Sequence, residues 1–528
     1  MDQYPAQGSG LGFDSNRHRR MALLAEANGW RALQPALPAA FYPAGALLTS
    51  LLSSMPAETP QNVLYDRYAS VEMCRIFSAR HRYSLWRQIW IGLAECQQEL
   101  GLPITDKQIA ALRQAAPSLD LERVAEIERE TRHDVVSHLR HFAEQAGEAG
   151  GILHLGATSA FVTDNTDLLI LREALDLVRR RVAAVIRQLA AFAARTRDIP
   201  TLAYTHFQPA QLTTVGKRAC LWAQDFVTDL EAIGHCHDQL RCRGVKGTTG
   251  TQASYLTLFE GDHDKVRELD RRLAEKLGFV ASFPITGQTY PRKQDSQILG
   301  ALVGLAESCH KLGTDLRLLQ GVGELSEPFG DSQVGSSAMA YKRNPIRAER
   351  MCALSRRLIT DGLNGPLTAS LQWLERSLDD SSIRRLVLPD AFMTADSIAS
   401  LAAGIAVGLV VRDETIRHRV QQELPFMATE TILMKATVGG GDRQQLHERL
   451  RRYSMEAHEA VARGGDNPLI EKVIGDAEFG LERSEIEACL DPRLFTGRSA
   501  RQVEEFLDEV VEPVLTGIQE ATVEEPRV

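Results

Sequence analysis

The sequence predicts an all-α protein organised around a bundle of long helices. Three observations lead there. From Asn165 onward, Leu168, Leu171, Leu175, Val178, Val182, Val185, Leu189 and Phe192 step alternately by three and four residues, which lays one apolar stripe along a helix. Leu302, Leu305, Cys309, Leu312, Leu316 and Leu319 repeat the spacing, and Val215, Ala219, Trp222, Phe226, Leu230 and Ile233 nearly do. Strand-like alternation is scarce along the whole chain.

In chain order, residues 1–60 carry Gly, Ala and Pro without sustained period and one basic cluster, Arg17-His18-Arg19-Arg20. They read as a poorly ordered extension; Asp2, Asp14 and Glu26 argue against a transit peptide, and Met55 offers an alternative start. Residues 61–157 read as an N-terminal helical domain, 158–411 as the central long-helix bundle and 412–528 as a C-terminal helical domain. In the bundle, Thr163-Asp164 supplies cap chemistry for the first stripe and Pro200 lies beyond its end, giving a rod of about 30 residues, or roughly 45 Å. A rod of that length requires equally long neighbours, and a stripe this narrow leaves room for helices of other subunits, so an oligomer is expected. Residues 321–345 break the pattern with four glycines and no apolar period. Such a loop inside a helical body is a functional lid or a linker.

The 528 residues carry a net charge of -9, which excludes a general nucleic-acid or membrane-surface role, since both need a basic footprint. No apolar run reaches the ~18 residues of a membrane span. The eight cysteines have no paired spacing and read as reduced thiols in a cytoplasmic protein. His235, Cys236, His237 and Cys242 could suggest a metal, but ligands two apart on a helix diverge. No HExxH motif or grouped acids indicate a catalytic metal, and Lys246-Gly247-Thr248-Thr249-Gly250-Thr251-Gln252 lacks the P-loop spacing. No cofactor is expected.

The chemistry concentrates in the loop. Gly335-Ser336-Ser337 joins a hinge to two hydroxyls, and Lys342, Arg343 and Asn344 follow closely. Removing a proton beside a carboxylate needs a base above the carbon and fixed donors where the enolate-like charge develops. A serine serves as that base only where lysine and loop amides stabilise its alkoxide. Elsewhere, Ser381 and Arg385 stand i,i+4, a grip for phosphate or carboxylate, although Arg376, Asp379, Asp380 and Arg384 make a salt-bridged surface helix the plainer reading. His206 beside Pro209 reads alone as a structural loop histidine, and Arg132-His133-Asp134 as a charged helix surface.

The segment Gly335 to Pro345, GSSAMAYKRNP, resembles the signature loop of the fumarase/aspartase superfamily, with Ala340 where that pattern has proline. Thr205 to Gln211 (THFQPAQ), Arg132-His133-Asp134, His154 to Ser159 (HLGATS) and Lys246 to Gln252 (KGTTGTQ) are similar to blocks of its adenylosuccinate lyase family, in the animal-like branch, over about residues 63 to 515. That resemblance implies Ser336 as base, His206 as acid, Lys342 stabilising the dianion and His133 orienting the acid. It further implies substrate contacts from Arg67, Tyr68, Arg132, Asp134, Thr158, Ser159, Gln288, Arg350, Arg376, Ser381 and Arg385. The implied reactions release fumarate from adenylosuccinate, giving AMP, and from the succinylated aminoimidazole carboxamide ribotide SAICAR, giving AICAR. The implied assembly is a homotetramer with active sites shared between subunits. The rivals are another lyase of the superfamily, such as argininosuccinate lyase, and a non-catalytic relative; the nucleotide-facing arginines oppose the first and the intact Ser336, Lys342, His206 and His133 the second.

Overall fold

A computed structural model describes residues 61–522 apart from Asp331, and the readings for residues 1–60, Met55 included, lie outside them. A π-turn at Leu64–Tyr68 precedes α1 (Ala79–Glu99), α2 (Asp106–Ala115), α3 (Leu121–Thr131) and α4 (Asp134–Ala146). The long elements follow: α5 (Ser159–Thr196), the hairpin β1 (Pro200–Thr205) and β2 (Gln208–Thr214), then α6 (Val215–Asp238), α7 (His263–Lys276) and α8 (Lys293–Gly321). A two-residue strand β3 (Leu325–Ser326), α9 (Ile346–Asp361), α10 (Asp379–Val407), strand β4 (Val410–Val411), α11 (Asp413–Val438) and α12 (Arg443–Ala462) complete the main frame.

All three apolar stripes are buried, from Leu168 through Phe192, Leu302 through Leu319 and Val215 through Ile233. Each lies where a 3.6-residue period puts it on one helix face. The start of α5 differs from the sequence reading. The helix spans 38 residues, about 57 Å, and starts directly after Thr158, so Thr163 and Asp164 lie within it. Asp164 instead accepts from the Arg292 guanidinium at 3.0 Å and from the Tyr290 amide at 2.9 Å. A cap-type residue was thus recruited to a tertiary ion pair.

That pair fixes the bundle's direction. Arg292 also meets Asp380 at 2.5 Å, and the three side chains are at most 3% exposed. The N-terminal ends of α5, α8 and α10 therefore converge on one buried charged node, beside which Arg384 joins Asp295 at 2.6 Å and Asp167 at 3.1 Å. At the far end β3 pairs with β4, and Glu324 reaches Thr201 in β1. The three helices run parallel between a charged end and a hairpin end, with α6 and α9 returning. Across the 29 residues of α8, the ends stand about 44 Å apart.

Helix α10 is long and apolar enough to cross a membrane by composition, but 78% of its most apolar window is buried inside the bundle. A separate buried cluster, from Ala428 to Cys489, joins α11 and α12 to the short helices that follow.

Candidate active site

Ser336 lies in the loop between α8 and α9. Its hydroxyl oxygen accepts from the Met339 amide at 3.1 Å and, more loosely, from the Ala338 amide at 3.4 Å. Two backbone donors aimed at one hydroxyl oxygen favour negative charge there. The turn is closed by the Lys342 amide on the Met339 carbonyl and by Asn344, whose side-chain amide donates to the Gly335 carbonyl at 2.9 Å. Gly335 is required by close approach, because a Cβ there would stand 2.2 Å from the Lys342 carbonyl oxygen. Ser337, Ala340, Tyr341 and Lys342 are exposed.

Two glutamates that sequence reasoning missed anchor this loop. Glu327, 4% exposed, accepts from the Arg347 and Ala348 amides at 3.0 and 2.9 Å, replacing a local cap that Pro345 does not provide. Burial holds its carboxyl above the usual range. Glu324 receives donors from β1 and α11. Neither carried a sequence signal, since their partners are 20 or more residues distant and aperiodic.

His206 sits at the hairpin tip. Thr205 pairs with Gln208, leaving His206 and Phe207 as a two-residue turn with φ of 54° and 59°. Positive φ at both positions is what the tight hairpin turn demands, and non-glycine residues there are strained. His206 is exposed at this tip.

His133 caps α4 and lies 3.4 Å, through Nε2, from the Ser159 hydroxyl at the start of α5. Beside it Arg132 takes a left-handed conformation that turns α3 into α4. Arg385 donates to Asp134 at 3.1 Å. Ser381 precedes Arg385 by one turn of α10, as the i,i+4 spacing predicts. Arg376 reaches Asp380 at 3.3 Å, and the Gln288 amide donates to the carbonyl of neighbouring Glu375. Arg384, by contrast, is a largely enclosed structural cation, its side chain 9% exposed. Behind this group, His154 Nδ1 accepts from the Trp90 indole at 3.0 Å, and burial, then His133, bring its pKa down to about 4.

The charged end therefore gathers Arg132, His133, Asp134, Thr158, Ser159, Gln288, Arg376, Ser381 and Arg385. Tyr68 and Arg350 meet separately, with the guanidinium 5.6 Å from the ring centroid, and Arg67 is exposed on the same π-turn. The bases of the His206 hairpin and of the Ser336 loop both lie at the hairpin end. One chain does not bring all fifteen residues together.

Comparison with known proteins gives the family. Residues 69–360 match the family model described as Lyase, and residues 425–506 that described as Adenylosuccinate lyase C-terminus. A fumarate lyase from Mesorhizobium sp. BNC1 superposes with a TM-score of 0.71 at 24% identity, covering 87% of this chain and all of that one. The family model thus defines a lyase, an enzyme, and the superposition gives its all-α, long-helix fold. The adenylosuccinate lyase of Saccharomyces cerevisiae is 48% identical over 86% of this chain and 95% of its own length, and that of Schistosoma mansoni 46% over 87% and 96%. The chain belongs to the adenylosuccinate lyase family.

Proposed function

We propose that the protein eliminates fumarate from adenylosuccinate, releasing AMP, and from SAICAR, releasing AICAR. The observation that carries the mechanism is the pair of amides on the Ser336 hydroxyl oxygen. As an alkoxide, Ser336 takes the proton from the succinyl carbon beside the carboxylate; the electron pair enters that carboxylate as a dianion, which Lys342 and the loop amides stabilise. The pair then returns to form the fumarate double bond as the carbon–nitrogen bond breaks, and His206 gives its proton to the departing nitrogen. His133, held at a helix start beside Ser159, orients the acid and the succinyl group. Thr158 and Ser159 hold the fumaryl carboxylates. Arg67, Tyr68, Gln288, Arg350, Arg376, Ser381 and Arg385 hold the nucleotide, and Arg132 and Asp134 frame His133.

Because these groups occupy separate parts of a rod some 44 Å long, we infer that complete sites form between subunits of a homotetramer. The exposed apolar positions Leu363, Leu367, Leu371 and Trp373 supply surface for such association. The eight free thiols fit a cytoplasmic setting. The test is turnover: the purified protein converts adenylosuccinate to AMP and fumarate, and Ser336→Ala binds the nucleotide without turning it over. Retained kcat in Ser336→Ala refutes the assignment of the base.

A further inference from the structure

Glu324 follows α8 by three residues and is 1% exposed, yet its carboxylate serves three other elements. Thr201 of β1 donates its hydroxyl to Oε2 at 3.3 Å, and the Tyr204 hydroxyl of the same strand donates to Oε1. Arg419 of α11 donates Nε to Oε1 at 3.1 Å and a second nitrogen to the Tyr204 hydroxyl at 3.2 Å. Arg218 of α6 stands 3.6 Å from Oε2 and 5.8 Å from the centroid of the Tyr204 ring. Tyr204 in turn packs on Phe207 with ring centroids 5.5 Å apart, and Phe207 is the second residue of the turn that carries His206.

A two-stranded ribbon is marginal by itself, and a turn with two strained residues gives its tip no support of its own. The direction of the exposed His206 ring is therefore set from the root of the hairpin. There, one buried carboxylate takes two hydroxyls of β1 and two guanidiniums from the helices behind it. The register between β1 and β2 shifts between Ala203 and Tyr204, at the residue Glu324 grips. A bulge at that point re-aims whatever follows it, and here His206 follows by two residues.

We propose that Glu324 is a positioning residue for His206: through Tyr204 and Thr201 it fixes β1 opposite the bulge in β2 and registers the hairpin against the root of the Ser336 loop. This rests on the reading of His206 as the acid. Burial and the Glu324 carboxylate raise the Tyr204 phenol to about 12, which keeps it a donor across the working range.

The experiment compares Tyr204→Phe, Glu324→Gln, Glu324→Ala and His206→Gln in the full-length enzyme, measuring kcat, KM and the pH profile of kcat with adenylosuccinate. Tyr204→Phe removes one hydroxyl and lowers kcat about tenfold, and Glu324→Ala about a hundredfold, with KM within about threefold. Glu324→Gln keeps one acceptor for Tyr204 and falls between. The alkaline limb of the profile, set by the protonated acid, moves by at least about half a pH unit in Tyr204→Phe and Glu324→Ala. Should Glu324→Ala fail to fold, Tyr204→Phe decides alone. An unmoved limb, a KM that rises in proportion, or a kcat within about twofold of wild type overturns the proposal. His206→Gln separates the two readings. Retention of kcat in that variant overturns the acid assignment and the proposal together; its inactivity beside a normal Tyr204→Phe overturns the proposal alone.

Discussion

Gly335→Ala tests whether the loop geometry around Ser336 is the working geometry. An added Cβ would lie 2.2 Å from the Lys342 carbonyl oxygen and 3.2 Å from Arg343 Cα. Both are backbone atoms, so no side-chain rotation relieves the clash. Reaching ordinary van der Waals separation requires the 335 and 342 strands of the loop to part by about 1 Å. That parting strains the Asn344 to Gly335 hydrogen bond and displaces Ser336, the next residue, from the amides that receive its charge. A misplacement of about 1 Å costs on the order of a hundredfold in rate, or about 2.7 kcal/mol of barrier. The fold itself is spared, because Ser337 through Lys342 are exposed and contribute little burial, so unfolding free energy stays within about 0.5 kcal/mol. Steady-state kcat, followed as fumarate release, and a denaturant melt are the two measurements. Asn344→Ala acts on the same closure, and the double variant falls short of the product of the singles. A Gly335→Ala enzyme with kcat within about threefold of wild type refutes the reasoning.

Other consequences follow from buried charge and loop stiffness. Arg292→Met leaves Asp164 and Asp380 without their shared cation and destabilises the fold by about 3–5 kcal/mol, read from denaturant midpoints. His138, packed between Tyr83 and Trp86, has its pKa lowered to about 4, first by burial and then by His141 and Arg87. A histidine depressed by folding stabilises the fold fully above its unfolded value near pH 6.5 and loses that contribution as pH falls toward 4; the loss is at most roughly 3 kcal/mol. Unfolding free energy measured across that window falls less steeply in His138→Gln. The Ala340 amide donates to no acceptor among the described residues, so Ala340→Pro sacrifices no hydrogen bond and favours the ordered loop by about 0.4–1 kcal/mol. Slower proteolysis within 330–345 is the expected result, and faster cleavage contradicts it.

The sequence by itself determined the helical frame. Residues 168 to 192 are buried at every position of the 3,4 stripe, and the aperiodic stretch began and ended within two residues of α8 and α9. Periodicity is legible because it is local: a 3.6-residue turn imposes it whatever the neighbours. The candidate site residues came through resemblance, residue by residue. Only the tertiary structure decided what each charge does. Asp164 looked like a cap and became half of a buried pair with Arg292, 128 residues away, while Arg384 went inside and its neighbour Arg385 stayed out. The same is true of the distance between His206 and His133, which the parallel course of α5, α8 and α10 places at opposite ends of the rod. Partner choice for a charge depends on which helices share a node, and that is fixed by packing across the whole bundle rather than by any window of sequence.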